Sequence, residues 1–432
     1  MDTDPAPESP ASERTPTPDF TPAPERTPTP DPTAAPERTR APDFTPAERA
    51  RGRALRRAQL PWALGGRLAG MALTLLLGLT PAGAALVTVT GGWFGGSRTA
   101  GVLAGATALV LLGNALQLPF GAGVRTVRAR YGLVTQGWAG WALDAVRGLA
   151  LTLVLVLPLV LGLFALTTWS PQHWWLPAAG AAALLTAALS FLHPLLIEPV
   201  FNRFSPMPPG ALRAALLALA ERDGVRVRDV LVADASRRTT ALNAYVSGFG
   251  ATRRIVAYDT LLTTAEPREV ELVVAHELGH VKHRDVPVGT VLGAVGATVA
   301  VAVLGLLAAR QPLLDAAGAT SPADPRALPL LAALAALLGA LSGPPQCAVS
   351  RRIEARADRH ALELTGDVEQ FVAMQRRLAV ANVSDVDPPR ALELLFATHP
   401  SATSRIAAAR AWQAAPEQRS PERRATPGGS VV

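Results

Sequence analysis

The run ELVVAHELGHVKHRD, Glu271 to Asp285, sets three of the chain's seven histidines within eight residues, beside a glutamate. At this content of His and Glu, a His-Glu-x-x-His string arises by chance in roughly one such sequence in two hundred. Glu271, Leu272, Val273, Val274 and Ala275 lead into it without a helix breaker, and Pro267 suits an early helical position. The spacing predicts a helix with His276 and His280 on one face, one turn apart. Zinc takes neutral imidazole nitrogens, and a catalytic zinc keeps three protein ligands with the fourth position open to water. His276 and His280 supply two ligands, and Glu277 stands ready to accept a proton from the water that attacks a carbonyl. A surface helix that merely carries histidines is the alternative, and the rarity of the pattern weighs against it.

Around this helix the chain of 432 residues is 49% hydrophobic and only 17% charged, with a mean hydropathy of +0.24. Those values exclude an ordinary water-soluble protein and point to a membrane protein. The single cysteine, Cys347, excludes a disulfide framework within the chain and a multi-cysteine zinc site. A metal therefore falls to His and carboxylates. A net charge of +7 raises the question of nucleic acid, but the arginines flank apolar spans or sit in loops without interleaved aromatics. No nucleic-acid partner is expected.

Residues 1–58 read as a disordered Pro/Thr-rich tail with three near-copies of a 12-residue unit, SERTPTPDFTPA, PERTPTPDPTAA and PERTRAPDFTPA. Prolines at that density remove the hydrogen bonds of helix and sheet, and no apolar segment marks a signal peptide. Beyond the basic run RARGRALRRA, Arg49 to Ala58, six stretches are long and apolar enough to cross a bilayer: Leu68–Thr90, Ala100–Gly121, Gly148–Thr168, Leu176–Ile197, Val286–Ala309 and Ala327–Val349. The chain then divides into a four-span membrane region over 59–200, a catalytic segment over 201–285, two further spans over 286–349, a C-terminal segment over 350–412 and a disordered tail over 413–432. Arg49 to Arg57, Arg125, Arg128, Arg130 and Arg147 lie on one side of the first four spans, and Trp169, Trp174 and Trp175 on the other. The positive-inside bias predicts a plasma-membrane protein with its N-terminus and catalytic site facing the cytoplasm. The fold class expected is an α-helical polytopic membrane protein carrying a zincin-like α+β catalytic domain. In that domain GALRAALLALAERDG reads as a helix, VRVRDVLVAD as a strand, and Ala244–Phe249 and Arg254–Tyr258 as two short strands.

A third ligand has to come from elsewhere, and SRRIEARADRHALELTGD offers Glu354 and Asp358 one turn apart on an amphipathic helix. Glu354 is the expected ligand and Asp358 the acceptor that orients a ligating imidazole. His283, Asp285 and His360 compete for the ligand role, and His283 also suits the C-terminal end of its helix as a cation.

Taken together, these residues resemble the integral-membrane zinc metallopeptidases of the type 1 CAAX prenyl endopeptidase family. The likeness extends beyond HELGH to IEPVFNRFSP, VADASRRTTALNAYVSGFGATRRIVAYDTLL, SRRIEARAD and FATHPSATSRI, in order over roughly residues 60 to 412. It implies one Zn2+ held by His276, His280 and Glu354, with Glu277 as general base and acid and His399 stabilising the oxyanion or positioning substrate. Arg405 belongs to the same environment, and Asn243, Ala244 and Tyr245 to an edge strand that pairs with extended peptide. Family likeness also implies a water-filled intramembrane chamber, which Asn114 and Gln117 would line unless they bond a neighbouring helix. The chain has one span fewer than the eukaryotic members. The expected function is a membrane zinc metalloendopeptidase acting on peptide or protein substrates, lipidated or membrane-associated, at the bilayer. A quality-control metalloprotease and a zinc-domain sensor are the alternatives.

Overall fold

The computed structural model describes residues 43–415. The three repeats, at 12–47, lie almost entirely outside that range, as do residues 416–432 of the expected C-terminal tail. Helix α1, Pro46–Gly78, begins well inside the expected disordered tail. Its start is a capping box: the Thr45 hydroxyl accepts from the Glu48 N–H at 3.2 Å, and the Glu48 carboxylate accepts from the Thr45 N–H at 2.8 Å. Phe44, just outside the helix, is buried. The sequence pattern missed this start because proline density ahead of it outweighed two polar residues.

The first expected span is also not one helix. α1 stops at Gly78, Thr80 turns extended, and α2, Pro81–Gly92, starts on a proline that has no N–H to continue the earlier helix. The break brings Gly78 and Gly83 against the later helix that starts at Leu328; a Cβ on Gly78 would stand 2.3 Å from that of Ala333. There follow α3, Arg98–Arg130; α4, Trp138–Trp169; and α5, Trp175–Leu192. Gln117 of α3 donates to the Gly66 carbonyl of α1 at 2.9 Å, and Asn114 to Val110 of its own helix, so each amide nitrogen has a backbone acceptor. A π turn, His193–Ile197, and the short α6, Glu198–Phe201, lead out to the catalytic domain.

That domain opens with β1, Phe204–Pro206; α7, Ala211–Arg222; and β2, Asp229–Ala233. Next come β3, Ala244–Ser247; β4, Arg254–Tyr258; α8, Asp259–Thr264; and α9, Pro267–Lys282. The sheet order is β1-β2-β4-β3, with β2 and β4 parallel and both outer pairs antiparallel, so β3 is an edge strand. β3 ends two residues before the expected Phe249, where Gly248 adopts φ +89°. α9 packs on the sheet through Val274, Ala275 and Leu278, in one core with Leu216, Ile255 and Phe371.

Arg284, in the left-handed conformation at φ 56°, turns α9 directly into α10, Asp285–Ala308. α11, Gln311–Ala317, precedes α12, Leu328–Thr365, which runs 38 residues without a break. The expected division at 349/350 therefore falls inside a helix: the sixth span and the third-ligand segment are one rod. α13, Val368–Ala381; α14, Arg390–Phe396; and α15, Ala402–Ala414, close the domain, α15 reaching just past the expected end at 412. Six helices among the described residues are long and apolar enough to cross a membrane: α1, α3, α4, α5, α10 and the Pro325–Thr365 stretch containing α12.

Candidate active site

α9 and the polar half of α12 cross so that a Cβ on Gly279 would lie 3.2 Å from the Ala357 backbone. The side chains one turn either side of that contact face one another. His276 Nε2 lies 3.2 Å from Glu354 Oε2, and His280 Nε2 lies 3.7 Å from Glu354 Oε1. The two imidazoles meet edge to face with centroids 4.9 Å apart. His276, Glu277 and His280 also form a compact group of potential ligand atoms.

The donor set fits a tetrahedral metal. Bonds of about 2.0–2.1 Å from a tetrahedral zinc imply ligand–ligand separations of roughly 3.3 Å, and 3.2 and 3.7 Å bracket that value. Glu354 Oε2 is buried and makes no well-aligned hydrogen bond, although His276 Nε2 stands 3.2 Å away. An orphaned carboxylate oxygen is costly without a donor or a cation.

Each imidazole is held from behind. His276 Nδ1 lies 2.9 Å from Asp358 Oδ1, as the sequence suggested for that aspartate. His280 Nδ1 lies 2.8 Å from Asp285 Oδ2, and Arg356 binds the other oxygen of Asp285. Asp285, expected as a competing ligand or a helix-end residue, is therefore the partner of His280. Nothing in the spacing gave this away, because it depends on the left-handed Arg284 that sets the turn from α9 into α10.

Arg405 requires a similar correction. Its Nε and Nη2 donate to Asp358 at 2.7 and 2.5 Å, and Nη2 stands 3.5 Å from His276 Nδ1. Nδ1 and Nε2 lie on opposite sides of the ring, so Arg405 sits behind His276 and not in the substrate cleft. Its fixed charge holds the Asp358 carboxylate in place. His360 is paired with Asp223 at 3.0 Å, and His283 stacks edge-on against His360 with centroids 5.5 Å apart. Neither joins the His276 group.

Burial alone would lower the pKa of His276, but the carboxylates of Asp358 and Glu354 beside it push it up to about 9. Burial raises Glu277 above the ordinary carboxylate range, only partly offset by the neighbouring imidazoles. The Val246 amide is a hydrogen-bond donor to Glu277. His399 is 57% exposed, with Nε2 3.3 Å from Glu354 Oε1, which puts it at the mouth of the same group.

The register of β3 identifies its unpaired groups. The Tyr258 N–H donates to the Asn243 carbonyl at 3.0 Å, and Ala244 stands opposite Ala257. Hydrogen-bonded pairs alternate along an antiparallel ladder, so Asn243 and Tyr245 turn their backbone groups to β4. Ala244 and Val246 turn theirs to the free edge, beside Glu277. Of the three positions expected to pair with peptide, only Ala244 is so oriented; Val246 replaces the other two. The Tyr245 hydroxyl and Ser247 hydroxyl reach Glu198 at 3.4 and 3.3 Å. A pocket of about 190 Å³ lined by Val246, Phe249, Glu277, His280 and Arg284 lies at this edge.

The sequence model for peptidase family M48 matches residues 206–413, and that for the CAAX prenyl protease N-terminal region, five membrane helices, matches residues 33–203. The chain is 32% identical over 289 residues to the uncharacterized metalloprotease YhfN of Bacillus subtilis, covering 66% of this chain and 68% of that one. A CAAX prenyl protease 1 homolog of rice is 31% identical over 157 residues, which span 36% of this chain and 37% of the relative. The crystal structure of S. mikatae Ste24p superposes with a TM-score of 0.77 at 19% identity, covering 85% of this chain and 90% of that one. That likeness carries the fold: membrane helices with a peptidase domain behind them.

Proposed function

We propose that this chain, which belongs to peptidase family M48 and is a membrane metalloendopeptidase, holds one zinc ion through His276, His280 and Glu354 and uses Glu277 as general base and then general acid. The observation that carries this is the convergence of two imidazole Nε2 atoms on a buried carboxylate whose Oε2 makes no well-aligned hydrogen bond. Zinc held there supplies a nucleophilic water near neutral pH and polarises the scissile carbonyl.

The protein's own groups do the rest. Glu277 takes a proton from the attacking water and delivers it to the departing amine; burial, which raises its pKa, strengthens it as a base for the first transfer. His399 at the mouth donates to the developing oxyanion. Asp358 and Asp285 fix the imidazole orientations from behind, and Arg405 fixes Asp358. The free edge of β3 holds the peptide extended, which presents a carbonyl with little regard to side chains. The substrate is a polypeptide delivered at the bilayer surface, and the names of the relatives favour a prenylated CAAX terminus. The arginines in the first turns of α1, at the end of α3 and near the start of α4 favour a cytoplasmic catalytic domain, in the plasma membrane.

The Glu277→Gln protein should retain zinc and lose peptidase activity by about 10²–10⁴-fold or more. Zinc content and cleavage of a peptide library, measured on the same preparation, check this. Undiminished cleavage by the variant would sink the assignment of Glu277.

A further inference from the structure

The alternation that turns Ala244 and Val246 outward also applies one step earlier, at Leu242. There the edge is already taken. The Leu242 N–H donates to Asn382 Oδ1 at 2.9 Å, and Asn382 Nδ2 donates to the Leu242 carbonyl at 3.3 Å. One side-chain amide thus makes both bonds that a pairing residue of another strand would make. At the other end, Gly248 at φ +89° turns the chain out of the strand. Between these two limits only Ala244 and Val246 face outward, the Val246 N–H toward Glu277.

Asn382 is itself firmly held. It follows α13 and precedes Val383, a β-branched residue at φ 49°, a conformation that persists only where the surroundings impose it. Val383 is buried with Leu55 of α1 and with Val127 and Leu133 at the end of α3. Asp385 is paired with Arg56, and Gly52 touches the next backbone unit so closely that a Cβ would lie 2.2 Å from the Ser384 carbonyl oxygen. The membrane helices therefore fix the loop that carries Asn382, and a peptide strand would have to break this anchorage to pass it.

We propose that Asn382 is a stop at one end of the substrate-binding edge, so that the substrate segment on its side of the scissile bond is limited to a few residues. The proposal rests on the reading of β3 as the substrate strand. It makes Asn382 a specificity-determining residue, supplied by a loop far from the zinc motif in sequence and braced on the membrane region.

The test uses the full-length, detergent-solubilised protein and two ladders of unprenylated peptides. One fixed cleavage site lies progressively farther from the amino terminus in the first ladder and progressively farther from the carboxyl terminus in the second. Wild type should lose rate steeply with length in one ladder only. Asn382→Ala frees both Leu242 groups and should raise cleavage of the long members about tenfold relative to the short ones. Asn382→Asp keeps the acceptor for the Leu242 N–H, so the strand stays anchored, yet frees the carbonyl; it should shift the same ladder in the same direction by less. Thermal melting monitors the fold of each variant. A wild type indifferent to length in both ladders, or folded variants with the wild-type length profile, would overturn the stop and leave the peptidase assignment intact. A wild type that, at zinc saturation, cleaves neither these peptides nor the same peptides carrying a farnesylated C-terminal cysteine would overturn the peptidase reading on which the stop rests.

Discussion

The membrane region and the catalytic domain bury different things. Among the described residues, the buried polar side chains of the membrane region are Thr90 and Thr167. Both hydroxyls donate to carbonyls of their own helices, Leu86 and Phe164. The catalytic domain and its junctions bury Asp223, Thr260, Glu269, His276, Asp285, Glu354, Asp358 and Gln375. Large apolar side chains show the reverse: Val154 and Leu184 of the spans are 69% and 72% exposed, as lipid-facing groups are, whereas Leu278 of α9 and Ile255 of β4 are fully buried. The membrane region holds together through close glycine contacts and apolar packing. The catalytic domain spends burial on paired charges, because those pairs orient its imidazoles.

The contrast predicts unequal costs for removing one polar partner. Asp285→Asn should weaken zinc binding by about 10–100-fold, since Asn presents a neutral group to His280 and to Arg356. Competition with a chelator of known affinity measures it. A variant binding zinc as tightly as wild type would erase the distinction between the two regions.

A second effect, smaller at any single pH, follows from His276. Its pKa of about 9 means the ring carries a proton at neutral pH in the metal-free protein. Zinc must displace that proton, so affinity should rise about tenfold per pH unit as pH increases toward 9 and level off above it. Calorimetry in buffers of different ionisation enthalpy would detect roughly one proton released per zinc bound near pH 7. The same charged pair stabilises the metal-free fold below pH 6.5, and that contribution fades as pH rises through about 9.

The smallest effect belongs to the membrane region. Thr167→Val replaces a hydroxyl that bonds only within its own helix, and its cost should stay under about 1 kcal/mol. Thermal unfolding in a fixed detergent checks it, and a large loss would mean that Thr167 anchors more than α4.

Several features were legible without coordinates. HELGH fixed its own helix and the direction of His276 and His280, because a spacing of four is geometric on any helix. Six apolar stretches announced six spans, since the bilayer leaves long apolar helices few alternatives. SRRIEARAD supplied Glu354 and Asp358 by the same one-turn rule. Two of the misreadings depended on what a neighbouring element does. Asp285 joins His280 through the left-handed turn at Arg284, and Arg405 lies behind His276 because α15 packs on α12.

The amino-acid sequence by itself determined the kind of protein, its number of spans and the residue types of the metal site, because hydrophobic length and helical periodicity are local. Tertiary structure alone decided which carboxylate backs which imidazole, which groups of β3 stay unpaired, and that Asn382 closes one end of them. Those depend on hydrogen-bond direction and on contacts between residues more than a hundred positions apart, such as Leu242 with Asn382 and His276 with Arg405, which no local pattern encodes.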